Sequence, residues 1–386
     1  MTPGARVSAA IEVLDAIAGG LAAEQALTRW ARQSRFAGSK DRAAVRDHVF
    51  DVLRQKRSAA HYGRGETSRA LMIGVLHGQG GDLDALFSGG GHAPAPLSEV
   101  ERAFPPMPED RATRLNLLDW LLPLFDTALG ENADAAALAL QERGPICLRV
   151  NTARIAVPAA QELLAEEGVQ TRANPLAEAA LTVIEGARRI RNSAAFADGY
   201  VELQDASSQA VVAALPQGGR VLDYCAGGGG KALALAMDPL REITAHDIDP
   251  RRMSDLPLRA DRAGVAISLV NTEEAAAGAP YDSVLCDAPC SGSGAWRRAA
   301  EGKWTLTPER LTELTAIQDQ ILDTAAGLTA RDGVLAYATC SLFREENEAR
   351  VEAFLARNPE WKVARMDRYD VTPDGDGFFS TQLTRE

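Results

Sequence analysis

VLDYCAGGGGKALALA, residues 221–236, reads as a strand, a glycine-rich turn and the start of a helix. Val221 and Leu222 begin an apolar run, and Lys231 to Ala236 returns to strong helix formers. Between them Gly227, Gly228, Gly229 and Gly230 permit positive φ and let backbone N–H groups approach a ligand with no Cβ in the way. Lys231 is followed by Ala232, so the run lacks the Ser/Thr of a triphosphate-cradling loop, and its glycines do not follow G-x-G-x-x-G. Asp247 ends the next apolar run twenty residues after Gly227, where an acid accepts hydrogen bonds from a ribose. A nucleoside cofactor is expected, the competing role for Asp247 being a helix N-cap or a solvated loop acid.

Outward from this turn, GRVLDY, EITAHD, VAISLV, DSVLCD and GVLAYAT are strand candidates separated by helical stretches. Such alternation implies an α/β fold with a mostly parallel sheet, whose ligands bind where the loops follow the strand carboxyl ends. Before it, ICLRVNT (146–152), PAAQELLAEEG (158–168) and LTVIEG (181–186) read as a small β-α-β unit. Residues 6–76 and 115–129 carry apolar positions at helical spacing, with a Gly/Pro-rich loop at 88–108. Three domains are expected: helical over 1–140, a small α/β linker over 141–204, and the main α/β domain over 205–386.

Two further motifs, DAPCSGSGAWRR (287–298) and YATCSLFREENE (337–348), each follow a strand candidate, which puts Cys290 and Cys340 beside the glycine loop. A free cysteine is usually a buried small hydrophobe, and Cys147 and Cys286 are read that way. Cys290 and Cys340 sit instead at strand-to-loop switches, each followed by Ser. The chemistry that needs two thiols is attack on a pyrimidine ring. Carbon 5 of cytosine takes an electrophile only after a thiolate adds at carbon 6, and a second thiolate can remove the carbon 5 proton afterwards. Asp287, protonated or sharing a proton with ring N3, is the candidate acid, against a bland role as a strand-end cap.

The chain has 386 residues, 46% hydrophobic and 24% charged, with no apolar run of membrane-spanning length. The first twenty residues lack the layout of a secretory signal, so a soluble cytoplasmic protein is expected. Five scattered cysteines without a CxxC pair, and five dispersed histidines, indicate neither a disulfide framework nor a metal site. Net charge is -12, yet from Arg29 to Arg69 eleven Lys/Arg face four acids, a local +7 on an otherwise acidic chain. Such a block is either a solvated helix face or a phosphate-binding surface.

The catalytic half resembles the Nol/Nop/Sun family of RNA cytosine-5 methyltransferases, and the whole chain its bacterial RsmB-like branch. The family's DxCAAPGGK appears here as DYCAGGGGK, matching Asp223, Cys225, Ala226, Gly229, Gly230 and Lys231, with Gly227 and Gly228 in place of Ala-Pro. Its DAPCSGxG matches Asp287 to Ser291, Gly292 and Gly294. Its TCS matches Thr339, Cys340 and Ser341, with Glu345, Glu346 and Asn347 completing EEN. QDASSQ (204–209) and DGFF (376–379) extend the match. The resemblance implies a Rossmann-like class I methyltransferase domain, a NusB-like RNA-binding helical domain, and S-adenosylmethionine as cofactor. It places that cofactor on Cys225, Ala226, Gly227, Gly228, Gly229, Gly230, Lys231, Asp247 and Asp287. It makes Cys340 the nucleophile and Cys290, Asp287 and Lys231 its catalytic companions. RNA, foremost small-subunit ribosomal RNA, is the implied partner, with the basic block and Arg297, Arg298 and Lys303 meeting phosphates. The acid the family often carries after the third strand is replaced near Asn271 and Thr272, with Glu273 one position on. Transfer RNA as substrate, and a non-catalytic ribosome-assembly role, are the competing readings. No oligomer is indicated.

Overall fold

The computed structural model describes residues 1–386 as two compact units. The first comprises Met1–Arg143 together with Trp296–Thr305; the second comprises Gly144–Ala295 and Leu306–Glu386.

Helices Pro3–Ala18, Ala23–Gln33, Ser39–Arg54, Lys56–Gly63 and Ser68–Gly78 form the body of the first unit. Their apolar stripes meet in one core containing Val7, Val13, Trp30, Val45, Val49, Met72 and Ile73. Thr2 and Thr67 cap the first and last of these helices by accepting the N–H groups of Ala5 and Ala70. The segment Trp296–Thr305 is built into this unit by specific contacts. Ala300 joins the core, Trp296 packs against Phe125, and Trp304 Nε1 donates to Leu53 O at 2.6 Å. Nothing in the local pattern of 296–305 signals that it belongs here, because the contacts are with residues far away in sequence.

The second unit carries eleven strands: β1 Cys147–Val150, β2 Gln170–Ala173, β3 Ala180–Glu185, β4 Val201–Leu203, β5 Gly219–Asp223, β6 Arg241–His246, β7 Ser268–Val270, β8 Tyr281–Asp287, β9 Thr329–Thr339, β10 Trp361–Tyr369 and β11 Phe378–Arg385. The first four make a small antiparallel sheet in the order β2-β3-β1-β4. The β-α-β unit expected there is thus extended by two strands. Both are three or four residues long, and β2 is mostly exposed, so neither leaves an apolar run in the sequence.

The remaining seven strands form one sheet in the order β10-β11-β9-β8-β5-β6-β7, parallel from β9 to β7 and closed by the antiparallel pair β10 and β11. Val284, Leu285 and Cys286 of β8 are fully buried, as expected of a parallel strand covered on both faces. Helix Pro308–Leu328 lays Leu322, Ala325 and Ala326 into the same core as Val284, Leu335 and Tyr337. The chain order reverses between β5 and β8, which opens a crevice at their carboxyl ends. Register then aligns the next feature: Asp287 at the end of β8 lies opposite Ala338 of β9, so the loops carrying Cys290 and Cys340 leave the sheet side by side.

Candidate active site

A cavity of about 750 Å³ occupies that crevice, a size suited to a nucleoside-sized ligand. Its floor is the turn after β5, where Cys225, Ala226, Gly227, Gly228, Gly230 and Lys231 all line it. Gly229 does not. It adopts φ +77° at the helix start, and a Cβ there would lie 2.7 and 2.9 Å from Leu256 side-chain carbons, so its smallness serves the packing beneath the loop. Asp247, 4% exposed, also lines the cavity. Its Oδ2 accepts the Gly227 N–H at 2.9 Å and Arg252 Nη1 at 3.1 Å, while Oδ1 accepts the Asp249 N–H at 3.0 Å. An ionised carboxylate has about four acceptor positions, so it ties down the glycine loop and still has capacity for a ligand hydroxyl.

Lys231 Nζ lies 2.7 Å from Asp287 Oδ2. Burial pushes the Lys231 ammonium down, but Asp287 outweighs it, helped by Cys340 and Asp223, and the balance is upward. Lys231 and Asp287 thus form an ion pair in the lining of the cavity. Behind this pair, burial, reinforced by Asp287, pushes the Asp223 carboxyl up to about 7.

The Cys290 and Cys340 sulfurs approach to 3.5 Å. Both thiols line the cavity, half-buried, whereas Cys147 and Cys286 are buried in the interior. The hydrogen bond with Cys340 raises the Cys290 thiol well above its ordinary value, and burial and the Glu346 carboxylate add to the rise. The loops are held by close backbone approach. Gly294 N–H donates to Cys340 O at 2.9 Å and Gly377 N–H donates to Gly294 O at 3.0 Å.

Several residues the sequence did not single out complete the site. Tyr224, Ile248 and Arg252 line the cavity on the β6 side; Arg310, Leu314, Ile317, Ile321 and Thr324 line it from helix Pro308–Leu328. Ile248 is 83% exposed, an apolar side chain adjoining Asp247. Its position immediately after the strand-end acid was the available signal.

Two expectations need correction, and the place of the replaced acid can be described. Asn271 does not face the cavity; it caps helix Thr272–Ala277 by accepting the Glu274 N–H, and Thr272 Oγ1 lies 3.0 Å from His246 Nε2. Arg297 and Lys303 are not surface cations. They are 3% and 1% exposed, with Arg54 Nε donating to Arg297 O and Lys303 Nζ to Arg54 O, and burial pushes the Lys303 amine down to about 7. Much of the basic block is committed inside its own unit: Arg46 to Glu24, Arg57 to Asp119, Arg69 to Glu101, and Arg42 and Arg64 to backbone carbonyls. Arg29, Arg32, Arg35 and Lys40 remain exposed, next to an exposed Phe36.

A glycine loop after β5, an acid after β6 and a pair of thiols after β8 and β9 are set on a Rossmann-like fold of the methyltransferase class. Residues 210–381 match the family described as 16S rRNA methyltransferase RsmB/F, and residues 119–189 match the ferredoxin-like domain of RsmF/B-like methyltransferases. Over these residues the chain is similar to the RsmB/F methyltransferases. It is 32% identical over 282 residues to ribosomal RNA small subunit methyltransferase B of Klebsiella pneumoniae, a match covering 69% of this chain and 65% of that protein. The match thus spans slightly less than two thirds of the relative's length. A methyltransferase homologue from Pyrococcus horikoshii superposes with a TM-score of 0.63 at 25% identity, over 72% of this chain and 98% of that one. The structure titled PH0851 shares the fold with a TM-score of 0.75 at 22% identity, over 100% of this chain and 99% of that one.

Proposed function

We propose that this protein transfers a methyl group from S-adenosylmethionine to carbon 5 of a cytosine in RNA, with small-subunit ribosomal RNA as substrate and the cytoplasm as its place of work. The observation that carries the reading is the pair of thiols 3.5 Å apart, opening onto the cavity whose floor is the glycine loop. The residues present fit the cofactor: small residues floor the cavity, Asp247 has acceptor capacity left for ribose hydroxyls, and Ile248, Leu314, Ile317 and Ile321 give the same cavity an apolar lining for the adenine. When bound, the cofactor supplies an electrophilic methyl on a sulfonium.

In this account Cys340 is the nucleophile. Its thiolate bonds carbon 6 of cytosine and leaves carbon 5 electron-rich. The Lys231–Asp287 pair hydrogen-bonds the ring N3 edge and supplies the proton that offsets the charge developing there. After methyl transfer, the Cys290 thiolate takes the carbon 5 proton, the C5–H electrons restore the ring double bond, and the Cys340–C6 bond breaks. The roles are those the resemblance of the two motifs implies, and a thiol held high, being the stronger base, agrees with Cys290 taking the proton. The cytosine must leave any stack to reach both sulfurs. Arg29, Arg32, Arg35 and Lys40 would bind phosphates and Phe36 would offer a stacking face, so the helical unit acts as the RNA-positioning domain and Gly144–Leu203 as a linker to the catalytic domain.

Transfer of labelled methyl from S-adenosylmethionine to unmodified small-subunit ribosomal RNA and to transfer RNA, with Cys340→Ala in parallel, tests this. Label in ribosomal RNA cytosine that disappears with the variant is expected. Label confined to transfer RNA overturns the substrate, and label that survives Cys340→Ala overturns the chemistry.

A further inference from the structure

Glu346 lies in the interior behind the two cysteine loops, 0% exposed, and its carboxylate gathers donors from both. Oε1 accepts the Ser291 N–H at 2.8 Å and Gln318 Nε2 at 3.1 Å; Oε2 accepts the hydroxyls of Ser291 and Ser341, each at 2.5 Å. Ser291 adjoins Cys290, and Ser341 adjoins Cys340. Ser293 extends the cluster, with its hydroxyl 3.1 Å from that of Ser341 and accepting the Leu342 N–H at 2.8 Å. No cation is among the partners of Glu346, so four donors take the place of an ion pair. The two short O–H···O contacts have the length expected for hydroxyls donating to an ionised carboxylate. A fully buried anion is costly unless it is satisfied in this way, and a purely structural brace could be built from neutral groups.

We infer that Glu346 is a positioning residue: its carboxylate clamps the Cys290 and Cys340 loops at sulfur-to-sulfur contact, and its negative charge keeps Cys290 a strong base for the proton-removal step. This rests on the two-thiol chemistry proposed above. Besides Glu346, the titratable groups around Cys290 are Cys340 just after β9, Tyr337 of β9 and Asp287 at the end of β8; Lys231 is paired to Asp287, and Arg310 of helix Pro308–Leu328 lines the same cavity. Glu346 is the buried anion that bonds both loops. Upward pressure on Cys290 from Glu346 agrees with this geometry.

The test follows breakdown of the covalent Cys340–RNA adduct across the neutral and alkaline range in full-length protein. Release needs the Cys290 thiolate, so its rate rises with pH through the Cys290 midpoint. Glu346→Gln keeps the shape and removes the charge. Its midpoint is expected to move toward acid by roughly one pH unit, and the release rate on the alkaline plateau to fall because the thiolate is a weaker base. Glu346→Asp keeps the charge and is expected to slow release without moving the midpoint. A uniform loss of rate in Glu346→Gln at an unchanged midpoint overturns the inference. The clamp is tested separately by capture of the thiol pair with a dithiol-bridging arsenical in a Ser291→Ala/Ser341→Ala protein, which keeps the carboxylate. Bridging slowed about tenfold or more is expected from two lost hydrogen bonds, and an unchanged rate overturns the positioning role. Failure of the underlying chemistry looks different, because then Cys290→Ala protein yields no Cys340-linked RNA.

Discussion

Replacing Gly294 by Ala tests whether the spacing of the two cysteine loops sets the rate. A Cβ at this position would sit 2.6 Å from the Gly377 carbonyl carbon and 2.8 Å from its Cα, where ordinary contact begins near 3.4 Å. The obstruction is backbone on the DGFF segment, flanked by the buried Phe378 and Phe379, so it yields little. The Gly294 loop must therefore move on the order of 1 Å, breaking the paired hydrogen bonds to Cys340 O and from Gly377 N–H. Misplacing a reacting group by about 1 Å costs roughly a hundredfold in rate, equivalent to about 2.7 kcal/mol of activation free energy. The cavity floor of Gly227, Gly228 and Gly230 is untouched, so cofactor affinity is expected to stay within about twofold, the ordinary scale of a distant substitution. Calorimetric titration with S-adenosylmethionine and single-turnover methyl transfer on the same preparation separate the two quantities. Transfer within about threefold of wild type, a loss of about 0.7 kcal/mol or less, would refute the claim that this loop is held to sub-ångström tolerance.

Lys303 offers a pH test of the first unit. Its amine sits at about 7 when folded, against 10.5 as its ordinary value. Between those values the unfolded chain holds a proton that the folded chain does not, so stability rises with pH across that window and is lost as pH falls toward 7. The gain from pH 7 to 9 is about 2 kcal/mol relative to Lys303→Met. Parallel denaturation curves at the two pH values for wild type and variant, without a difference in slope, would contradict the buried-amine account. On the surface, Arg32→Glu/Arg35→Glu is expected to weaken RNA binding and to lower the salt dependence of log K by about two phosphate contacts. Fluorescence titration at several salt concentrations measures both, and an unchanged salt slope would remove this face from the RNA path.

The parallel strands and the two cysteines brought together at the cavity were legible because each leaves a local mark. Buried parallel strands such as β5 and β8 read as continuous apolar runs, and Cys290 and Cys340 stand at their ends in small-residue loops. Adjacency of the two thiols followed once β8 and β9 were neighbours. What was not legible depends on contacts between residues distant in the chain. Arg54, Arg297 and Lys303 read as cations for phosphate, yet they are buried together, because charge is visible in a sequence and burial is not. Asn271, near where the family's acid is replaced, is a helix cap, a local role that its capping box with Glu274 did encode. Glu346 completed a motif without a role, since its partners Ser291 and Gln318 lie 55 and 28 residues away. Strands β2 and β4 were too short and polar to show.

The division of labour between the two thiols is tested most directly by trapping. Cys340→Ala and Cys290→Ala proteins are incubated with substrate RNA and S-adenosylmethionine, denatured, and the RNA–protein linkage is mapped by mass spectrometry. The account predicts no adduct in Cys340→Ala, and in Cys290→Ala an accumulating adduct joining Cys340 to carbon 6 of a cytosine already methylated at carbon 5. An adduct through Cys290 in the Cys340→Ala protein, or a full turnover rate in Cys290→Ala, would contradict it.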